Sequence, residues 1–375
     1  MDFSYSEEQA LLRDMAGKLT SDRYGFEARR AILASPQGFS RALWAEMAEL
    51  GLTALNVPED CGGVGAGPVE TALVMQAFGR ALVVEPFAAS AVLSSALLSL
   101  APQGAARAAL LPALAAGTSI IAPALYERRG RFDLDHVETH AALRGAQVIL
   151  SGEKSGVPGG GIADGFLVSA RLGGAPDAAS IALLHVPREA KGLTILATRA
   201  LDNTSVATLV LDAVALDIDT ALVAPNALPV IEQATGIAIA ALCAEALGVM
   251  RAAIDLTTDY LRTRKQFGQP LGKFQVLQHA CADMFVAAEE VQSASLLASA
   301  RCMHADLRER RRAIAAAKVT VNKAARFIGQ SAVQLHGGIA MTQDAAISHY
   351  FRRLTAIENT LGDTDHHLAA FVALG

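Results

Sequence analysis

Hydrophobic positions recur at helical spacing over the first 120 residues of the chain. Ser6 with Gln9 forms a capping-box pattern, which predicts a helix through about Leu19. Ser40 predicts the start of another helix, which carries an apolar face and stops at Gly51. Three more helices are predicted over Pro68–Leu82, Pro86–Leu100 and Gln103–Ala116. An N-terminal helical domain over residues 1–119 is therefore expected.

The same spacing returns from about residue 226. Apolar residues at alternating intervals of three and four run from Ile239 to Tyr260 and again from Phe274 to Val291. A third helix is predicted over roughly 310–336, ending at Gly337. A seam of this period is typical of a left-handed helix bundle. Residues 226–375 are therefore predicted to form a C-terminal helical bundle.

Residues 120–225 have a different pattern, with short apolar runs between turn residues. Val, Ile, Leu and Thr are enriched in these runs, which favours strands. The predicted strands are Ala142–Leu150, Gly165–Arg171, Ser180–Val186, Leu193–Thr198 and Ser205–Asp212. The pattern predicts a middle domain that is a small barrel or open sandwich, and the whole chain is of the α+β class.

Composition narrows the function classes. The chain is 52% hydrophobic and 18% charged, as expected of a well-buried globular protein. The net charge of −5 gives no footprint for nucleic acid. The four cysteines form no C-x-x-C pair, and no metal site is predicted. No signal peptide and no uninterrupted apolar run of membrane-spanning length is evident, so a cytoplasmic protein is expected.

The most informative stretch joins the first two helices of the predicted bundle. Arg262, Arg264 and Lys265 lie where the carbonyl end of a helix favours cations. Gly268 and Pro270 then break the helix. From spacing alone, this stretch is interpreted as a solvated helix–helix turn.

The residues themselves carry a resemblance. The pattern RKQFGxPxGxFQxxQHxxADM over 264–284 resembles the C-terminal signature of the flavin-dependent acyl-CoA dehydrogenase family, and Gln334-Leu-His-Gly337-Gly338 resembles the family's Gln-x-x-Gly-Gly turn. The tail HYFRRLTAIENTLGDTDHH is most similar to the branch of pimeloyl-CoA dehydrogenase small subunits. The resemblance implies an acyl-CoA dehydrogenase fold that ends in a four-helix bundle.

The resemblance also implies a cofactor and a reaction. A base removes a proton from the α-carbon of an acyl-CoA while FAD takes the β-hydrogen, which gives a 2-enoyl-CoA. A fixed guanidinium is a sensible partner for the FAD pyrophosphate. The residues implied to contact FAD are Arg264, Gln266, Phe267, Phe274, Gln275, Gln334, Gly337 and Gly338. The last three would approach from a neighbouring subunit, so at least a dimer is expected, with an electron-transfer flavoprotein as electron acceptor.

The expected base is missing. Aligned on Arg352 and Gly362, the usual catalytic glutamate is replaced by Leu361. The position used by other family members holds Ala238. Glu245 and Glu358 remain as candidate bases: Glu245 lies two helical turns after Ala238, and Glu358 is three residues off register. Glu245 is otherwise a helix-surface or interhelical hydrogen-bonded glutamate.

The middle domain departs from the family pattern as well. The family's Thr-Glu-Pro-x-x-Gly-Ser-Asp loop is hardly retained in residues 122–132, and Val157 stands where members carry a hydroxyl aimed at the flavin. Three hypotheses follow. The chain is a subunit that shares an FAD site with a partner, such as a large acyl-CoA dehydrogenase subunit carrying the base. Alternatively, it is a stand-alone homo-oligomeric dehydrogenase with a displaced base, or a flavin-free scaffold.

Overall fold

The computed structural model describes residues 5–173 and 177–375, which divide into two compact units. The helical unit contains the described residues up to Ala31, Pro68–Val83 and Ile239–Gly375. The sheet unit contains Ile32–Gly67 and Val84–Ala238. Each unit has its own buried apolar core, and each carries residues that were singled out in the sequence.

Helices account for both ends of the chain, as predicted. Among the described residues the α-helices are α1 (Glu7–Arg23), α2 (Phe26–Ala34), α3 (Arg41–Glu49), α4 (Pro68–Ala81), α5 (Ser95–Leu100), α6 (Ala105–Ala115), α7 (Ile218–Ala221), α8 (Leu228–Thr263), α9 (Gln275–Arg301), α10 (Leu307–His336), α11 (Ala346–Asn359) and α12 (Thr364–Ala373). The capping box at α1 is present: Gln9 N donates to Ser6 Oγ at 3.2 Å, and Ser6 N donates to Gln9 Oε1 at 3.1 Å. Ser40 caps α3 by accepting from Leu43 N at 3.2 Å.

Helix α10 is the centre of the C-terminal helical region. It packs against α9, α11 and α12, and its buried face includes Ala317, Val321 and Ile328. The predicted helical bundle is thereby confirmed, with α12 as a further helix against α10.

Helices α4 and α8 approach each other backbone to backbone. A Cβ placed on Gly79 would lie 2.1 Å from the carbonyl oxygen of Glu245, and one on Gly248 would lie 2.0 Å from that of Gln76. Only glycine fits at these two positions. In this part of α8, small residues serve close helix packing.

Apolar composition alone would let α8 cross a membrane. However, 89% of its most apolar stretch is buried inside the molecule. Such burial is typical of the core helix of a soluble protein.

The described residues of the sheet unit form eight strands, β1 (Ile121–Ala124), β2 (His140–Arg144), β3 (Gln147–Pro158), β4 (Gly165–Leu172), β5 (Ile181–Pro187), β6 (Leu193–Arg199), β7 (Ser205–Asp217) and β8 (Leu222–Ala224). Their order is β6-β7-β3-β2-β4-β5-β8, and β1 pairs in parallel with β4. The middle β domain is thus confirmed. The single strand predicted over Ala142–Leu150 is wrong, because Gly145 (φ 62°) and Ala146 form a turn that makes a β2–β3 hairpin of it.

A buried π-helical segment, Phe87–Ser94, precedes α5. It replaces the first half of the α-helix predicted over Pro86–Leu100. Two serines fasten it to β1: Ile121 N donates to Ser90 Oγ at 3.0 Å, and Ser94 Oγ donates to the Ile121 carbonyl at 2.9 Å. Such segments are rare and occur often at functional sites.

Candidate functional site

The basic loop after α8 is a strained hairpin rather than an open turn. Strands β9 (Lys265–Gln266) and β10 (Gln269–Pro270) pair antiparallel. Phe267 (φ 53°) and Gly268 (φ 77°) occupy the turn, which has the positive φ angles of a type I′ turn. The left-handed conformation costs a residue with a Cβ roughly 1–2 kcal/mol. Phe267 accepts this cost while its side chain is 88% exposed, a combination that points to a role in binding.

Backbone hydrogen bonds hold this hairpin in place, and several of its polar side chains are exposed. Arg264 N donates to the Tyr260 carbonyl and Leu271 N donates to the Arg264 carbonyl, both at 2.8 Å. Phe274 meets Phe267 edge to face, with ring centroids 6.0 Å apart. The side chains of Arg264, Gln266 and Gln275 are exposed. Within the described ranges no carboxylate pairs with Arg264, so its guanidinium is available to an anion.

The glycine turn after α10 is equally open. Gly337 (φ 68°) caps the helix, and its N–H donates to the carbonyl oxygens of Gln334 and Val333. Gln334, Gly337 and Gly338 are exposed, and a Cβ on either glycine would meet nothing within 4 Å. A flat group can therefore approach this backbone closely.

An aromatic stack joins the two motifs. Tyr260, in the last turn of α8, stacks on His336, the last residue of α10, with centroids 4.6 Å apart and planes inclined by 24°. The hairpin begins at Lys265, five residues after Tyr260, and the glycine turn follows His336 directly. The eight residues predicted to contact FAD therefore lie around neighbouring helix ends of the helical unit.

Glu245, the first candidate base, is buried on α8 and paired with an arginine. Arg353 of α11 donates to Glu245 Oε1 from Nε and Nη2, both at 2.6 Å. An arginine that holds one carboxylate oxygen through two donors stabilises the ion and fixes its orientation. The structure thus shows Glu245 in an interhelical ion pair.

Glu358, the second candidate, is buried at the end of α11. Arg326 of α10 donates to Glu358 Oε1 from Nη2 and approaches Oε2 from Nε at 3.5 Å. Neither acid was expected from the sequence to carry an arginine, because the partners lie 108 and 32 residues away. The sequence predicts the helix that carries Arg326, but nothing in it indicates that Arg326 pairs with Glu358.

The turn after α11 holds the position of the family base. Leu361 has a left-handed backbone (φ 57°), and its carbonyl accepts from His367 Nε2 at 2.9 Å. Burial lowers the pKa of His367 to about 4, so the ring is neutral at pH 7. Lys318 Nζ donates to the Ile357 carbonyl at 2.6 Å on the other side of the turn. The turn is therefore held firmly although Leu361 carries no proton acceptor.

Ala238, at the other position where members carry a base, is buried on α8 and likewise offers no acceptor. Val157 is buried in β3. Ser155 N donates to the Tyr126 carbonyl at 2.9 Å, which fixes the end of β3 against the chain after β1. These positions agree with the loss of hydroxyl and carboxyl groups that the sequence indicated.

A buried ion pair in the sheet unit was not found from the sequence. Lys154 Nζ donates to Glu127 Oε1 at 2.7 Å and to Ser169 Oγ at 2.9 Å. Burial lowers the pKa of Lys154 to about 8, against the pull of Glu127. Burial acts to raise the pKa of Glu127, but the Lys154 ammonium and two backbone N–H donors outweigh it and lower that pKa.

Glu127 also lies within 4.8 Å of ligand atoms of His136 and Glu138. Its Oε1 already accepts from an ammonium, which would repel a cation. Nearer the C-terminus, Asp363 Oδ1 accepts from His366 N at 2.8 Å and caps α12. Hydrogen bonds thus occupy Glu127 Oε1 and Asp363 Oδ1.

Comparison with known proteins gives the same picture over the whole length. Three family models match: the acyl-CoA dehydrogenase N-terminal domain over residues 6–118, the middle domain over 122–214 and the C-terminal domain over 228–372. The acyl-CoA dehydrogenase IpdE2 of Mycobacterium tuberculosis is 30% identical over 350 residues, which is 92% of this chain and 91% of that protein.

Two solved structures are similar in fold. A variant of the Tcur3481-Tcur3483 steroid ACAD is 29% identical with a TM-score of 0.87, over 98% of this chain and 97% of that one. A chain of the ChsE4-ChsE5 complex from Mycobacterium tuberculosis is 24% identical with a TM-score of 0.88, over 100% and 98%. Family models, relative and fold agree, and the chain belongs to the acyl-CoA dehydrogenase family, whose members are FAD-dependent oxidoreductases.

Proposed function

We propose that this chain is one subunit of a heteromeric acyl-CoA dehydrogenase and shares its FAD site with a partner subunit that supplies the base. The overall reaction removes the α-hydrogen of an acyl-CoA as a proton and the β-hydrogen as a hydride. The product is a 2-enoyl-CoA. Bound FAD would supply the acceptor for the hydride, while the protein provides binding, orientation and the proton acceptor.

The observation that carries the proposal is the exposed cofactor half of the site. FAD combines an anionic pyrophosphate with a large flat ring. The hairpin offers the guanidinium of Arg264 and the exposed ring of Phe267. The glycine turn offers an open backbone at Gly337 and Gly338. The donor set therefore fits FAD, and its outward position fits a cofactor shared with a second chain.

The missing proton acceptor supports a partner. Leu361 and Ala238 occupy the two positions where family members carry a base. Arg353 pairs with Glu245 and Arg326 pairs with Glu358. An acid that holds an arginine is a poor general base, because the cation stabilises the carboxylate that proton transfer would consume. The partner would then contribute the base, as a large acyl-CoA dehydrogenase subunit.

Relatives support the same assembly. One similar structure is a complex of ChsE4 with ChsE5, and another is named for the pair Tcur3481-Tcur3483. A two-fold arrangement of such pairs would bring each glycine turn to a neighbouring cofactor. The electron acceptor would be an electron-transfer flavoprotein, and the expected location is the cytoplasm.

The test is the FAD content of the chain alone and of the chain co-purified with the acyl-CoA dehydrogenase encoded beside its gene. The proposal predicts a colourless lone chain and about one FAD per two chains in the complex. Arg264→Ala should lower the FAD content of the complex. Arg262→Ala is the matched control, because Arg262 is an exposed cation in the last turn of α8, two residues before Arg264, and pairs with Asp259 at 3.3 Å.

Other outcomes would select the alternatives. One FAD per lone chain, bleached by an acyl-CoA, would contradict the shared site and favour a stand-alone enzyme with Glu245 or Glu358 as base. Glu245→Gln and Glu358→Gln would then separate the two. A chain that stays colourless with and without its partner would leave a flavin-free scaffold.

A further inference from the structure

His336 is a titratable residue that lies beside both cofactor motifs. It is the last residue of α10, and Gln334 and Gly337, both implied to contact FAD, lie on either side of it in the chain. Its half-buried ring stacks on Tyr260 of α8, with ring centroids 4.6 Å apart. The hairpin begins five residues after Tyr260. A ligand that contacts both the hairpin and the glycine turn therefore passes close to this ring.

Hydrogen bonding decides which nitrogen of His336 can gain a proton. Nδ1 lies 2.8 Å from the carbonyl oxygen of Ala332. A carbonyl only accepts, so Nδ1 donates and the neutral ring has its lone pair on Nε2. Among the described residues no group bonds to Nε2, and Nε2 is not one of the buried atoms that lack a partner. It therefore reaches the surface, where a ligand can meet it.

The ring of His336 is neutral at pH 7 in the free chain. Burial lowers the pKa of His336 below its usual value, and the Ala332 carbonyl opposes this shift. Tyr260 is the titratable side chain that faces the ring from α8, and the glycine turn Gly337–Met341 carries no charged side chain. Among the described residues no charged group alters this pKa. An anion that arrives beside the ring is therefore free to raise it.

The diphosphate of FAD calls for more positive charge than the hairpin supplies. Arg264 and Lys265 are exposed cations of this region. However, α8 ends at Thr263 and α10 ends at His336, and the carbonyl end of a helix carries about half a negative charge. The two helix ends together offset about one of the two cations. Each phosphate of the diphosphate is negatively charged, so a further cation beside it is favourable.

We propose that His336 is a further FAD-binding residue: its ring takes up a proton from solvent on Nε2 and donates a charge-assisted hydrogen bond to a phosphate oxygen. The proposal rests on the proposed function in that the ligand is FAD. The carbonyl end of α10 stabilises the protonated ring, and so does the face of Tyr260, because an aromatic face attracts a cation. FAD binding should therefore tighten as the pH falls.

The affinity of the complex for FAD between pH 5.5 and pH 8.5 tests the proposal. The complex is stripped of FAD, and quenching of flavin fluorescence gives the dissociation constant at each pH. The wild type should bind FAD roughly fivefold more tightly at pH 5.5 than at pH 8, as linkage gives for a rise in pKa of about one unit. His336→Phe keeps a ring against Tyr260 but cannot titrate, so it should bind FAD with the same affinity at every pH.

His279→Phe is the matched control, because His279 is an exposed histidine in the second turn of α9, in the same unit. It should leave the pH dependence unchanged. Calorimetry in two buffers of different ionisation enthalpy counts the protons taken up on binding. The wild type should take up a fraction of a proton near pH 6, and His336→Phe none. If His336→Phe does not fold, His336→Gln replaces it, because an amide does not titrate either.

A wild-type affinity that is independent of pH would overturn the proposal, as would a pH dependence that survives in His336→Phe. A loss of affinity by the same factor at every pH would also overturn it, since a ring that only supports the fold would act in this way.

ADP-ribose separates this proposal from the proposed function, because it carries the same kind of diphosphate diester without a flavin. A complex that never holds FAD would refute the proposed function. ADP-ribose binding that tightens with acid in the wild type, but not in His336→Phe, would still support His336 as a diphosphate-binding residue. If the complex bound neither FAD nor ADP-ribose, the assignment of His336 would be overturned as well.

Discussion

Replacing Glu85 by glutamine should make the protein more stable at high pH and change little at low pH. The pKa of Glu85 is raised from 4.5 to about 7 in the folded chain. The folded state therefore binds a proton more tightly than the unfolded state, and stability falls as pH rises through this interval. Below pH 4 the carboxyl is protonated in both states and the effect vanishes.

The magnitude follows from the shift. At about 1.4 kcal/mol per pH unit, a shift from 4.5 to about 7 amounts to about 3 kcal/mol in full. About 2.5 kcal/mol of this falls between pH 5 and pH 8. Because Glu85 is almost wholly buried, little of the effect is lost to solvent screening.

The assay is urea unfolding of wild type and Glu85→Gln at half-unit steps from pH 5 to pH 8.5. Subtracting the two curves cancels the other groups that titrate there, such as Lys154. The difference should grow with pH and level off above the folded pKa. A difference that stays constant within about 0.5 kcal/mol would refute the reasoning, since it would mean that Glu85 titrates normally in the folded protein. Glu189→Gln, at an exposed glutamate of the same unit, is the matched control.

Three further tests concern the ion pair, the hairpin and the base position. Lys154→Met should lower the free energy of unfolding, measured by urea titration, by roughly 3–5 kcal/mol, because it leaves a buried carboxylate without its cation. The double variant Lys154→Met with Glu127→Leu should recover most of this loss. Equal losses in the single and double variants would contradict the reasoning. Phe267→Gly should change the free energy of unfolding by no more than about 1 kcal/mol, because glycine adopts the left-handed conformation without strain. It should nevertheless lower the FAD content of the complex. An unchanged FAD content would mean that the Phe267 ring makes a different contact. In a complex whose partner subunit has lost its base, Leu361→Glu should restore acyl-CoA-dependent flavin bleaching and Leu361→Gln should not. No bleaching by a folded, flavin-loaded Leu361→Glu complex would count against this position as a base site.

Local signals explain which elements were predictable. The caps at Ser6 and Ser40 act over three residues, so the sequence displays them fully. The α10 helix shows its apolar face at every turn, and its predicted start and end differ from the structure by only a few residues. Such features depend on neighbours in the chain and need no knowledge of tertiary contacts.

Other elements depend on distant partners. Strand β1 (Ile121–Ala124) is four residues long, includes Pro123 and exists because β4 pairs with it. The π-helical segment has the apolar composition of an ordinary helix, and its hydrogen bonds to β1 through Ser90 and Ser94 lie about 30 residues away. No pattern within either segment distinguishes these outcomes.

The candidate site likewise has one part that depends on neighbours in the chain and one part that depends on distant partners. Its cofactor half lies in two contiguous motifs, whose residues were named from the sequence and whose exposure the structure then gave. Glu245 is ion-paired with Arg353, and Glu358 is ion-paired with Arg326. These pairings exist only once α8, α10 and α11 are packed, so both acids could be named as candidates but not as ion-paired groups.

The buried acids differ in whether the fold supplies a cation for their carboxyl groups. Removing a carboxyl group from water is unfavourable unless a cation or hydrogen-bond donors replace the water. Three carboxylates have such partners within the fold: Glu245 has Arg353, Glu358 has Arg326 and Glu127 has Lys154. Their burial is explained by the packing they support. Glu85 has backbone N–H groups but no cation, and within the described residues its Oε2 has no hydrogen-bond partner, so its desolvation is only partly compensated. Replacing Glu85 by glutamine should therefore stabilise the protein, whereas removing an ion-paired glutamate should destabilise it, because its buried cation would lose its partner.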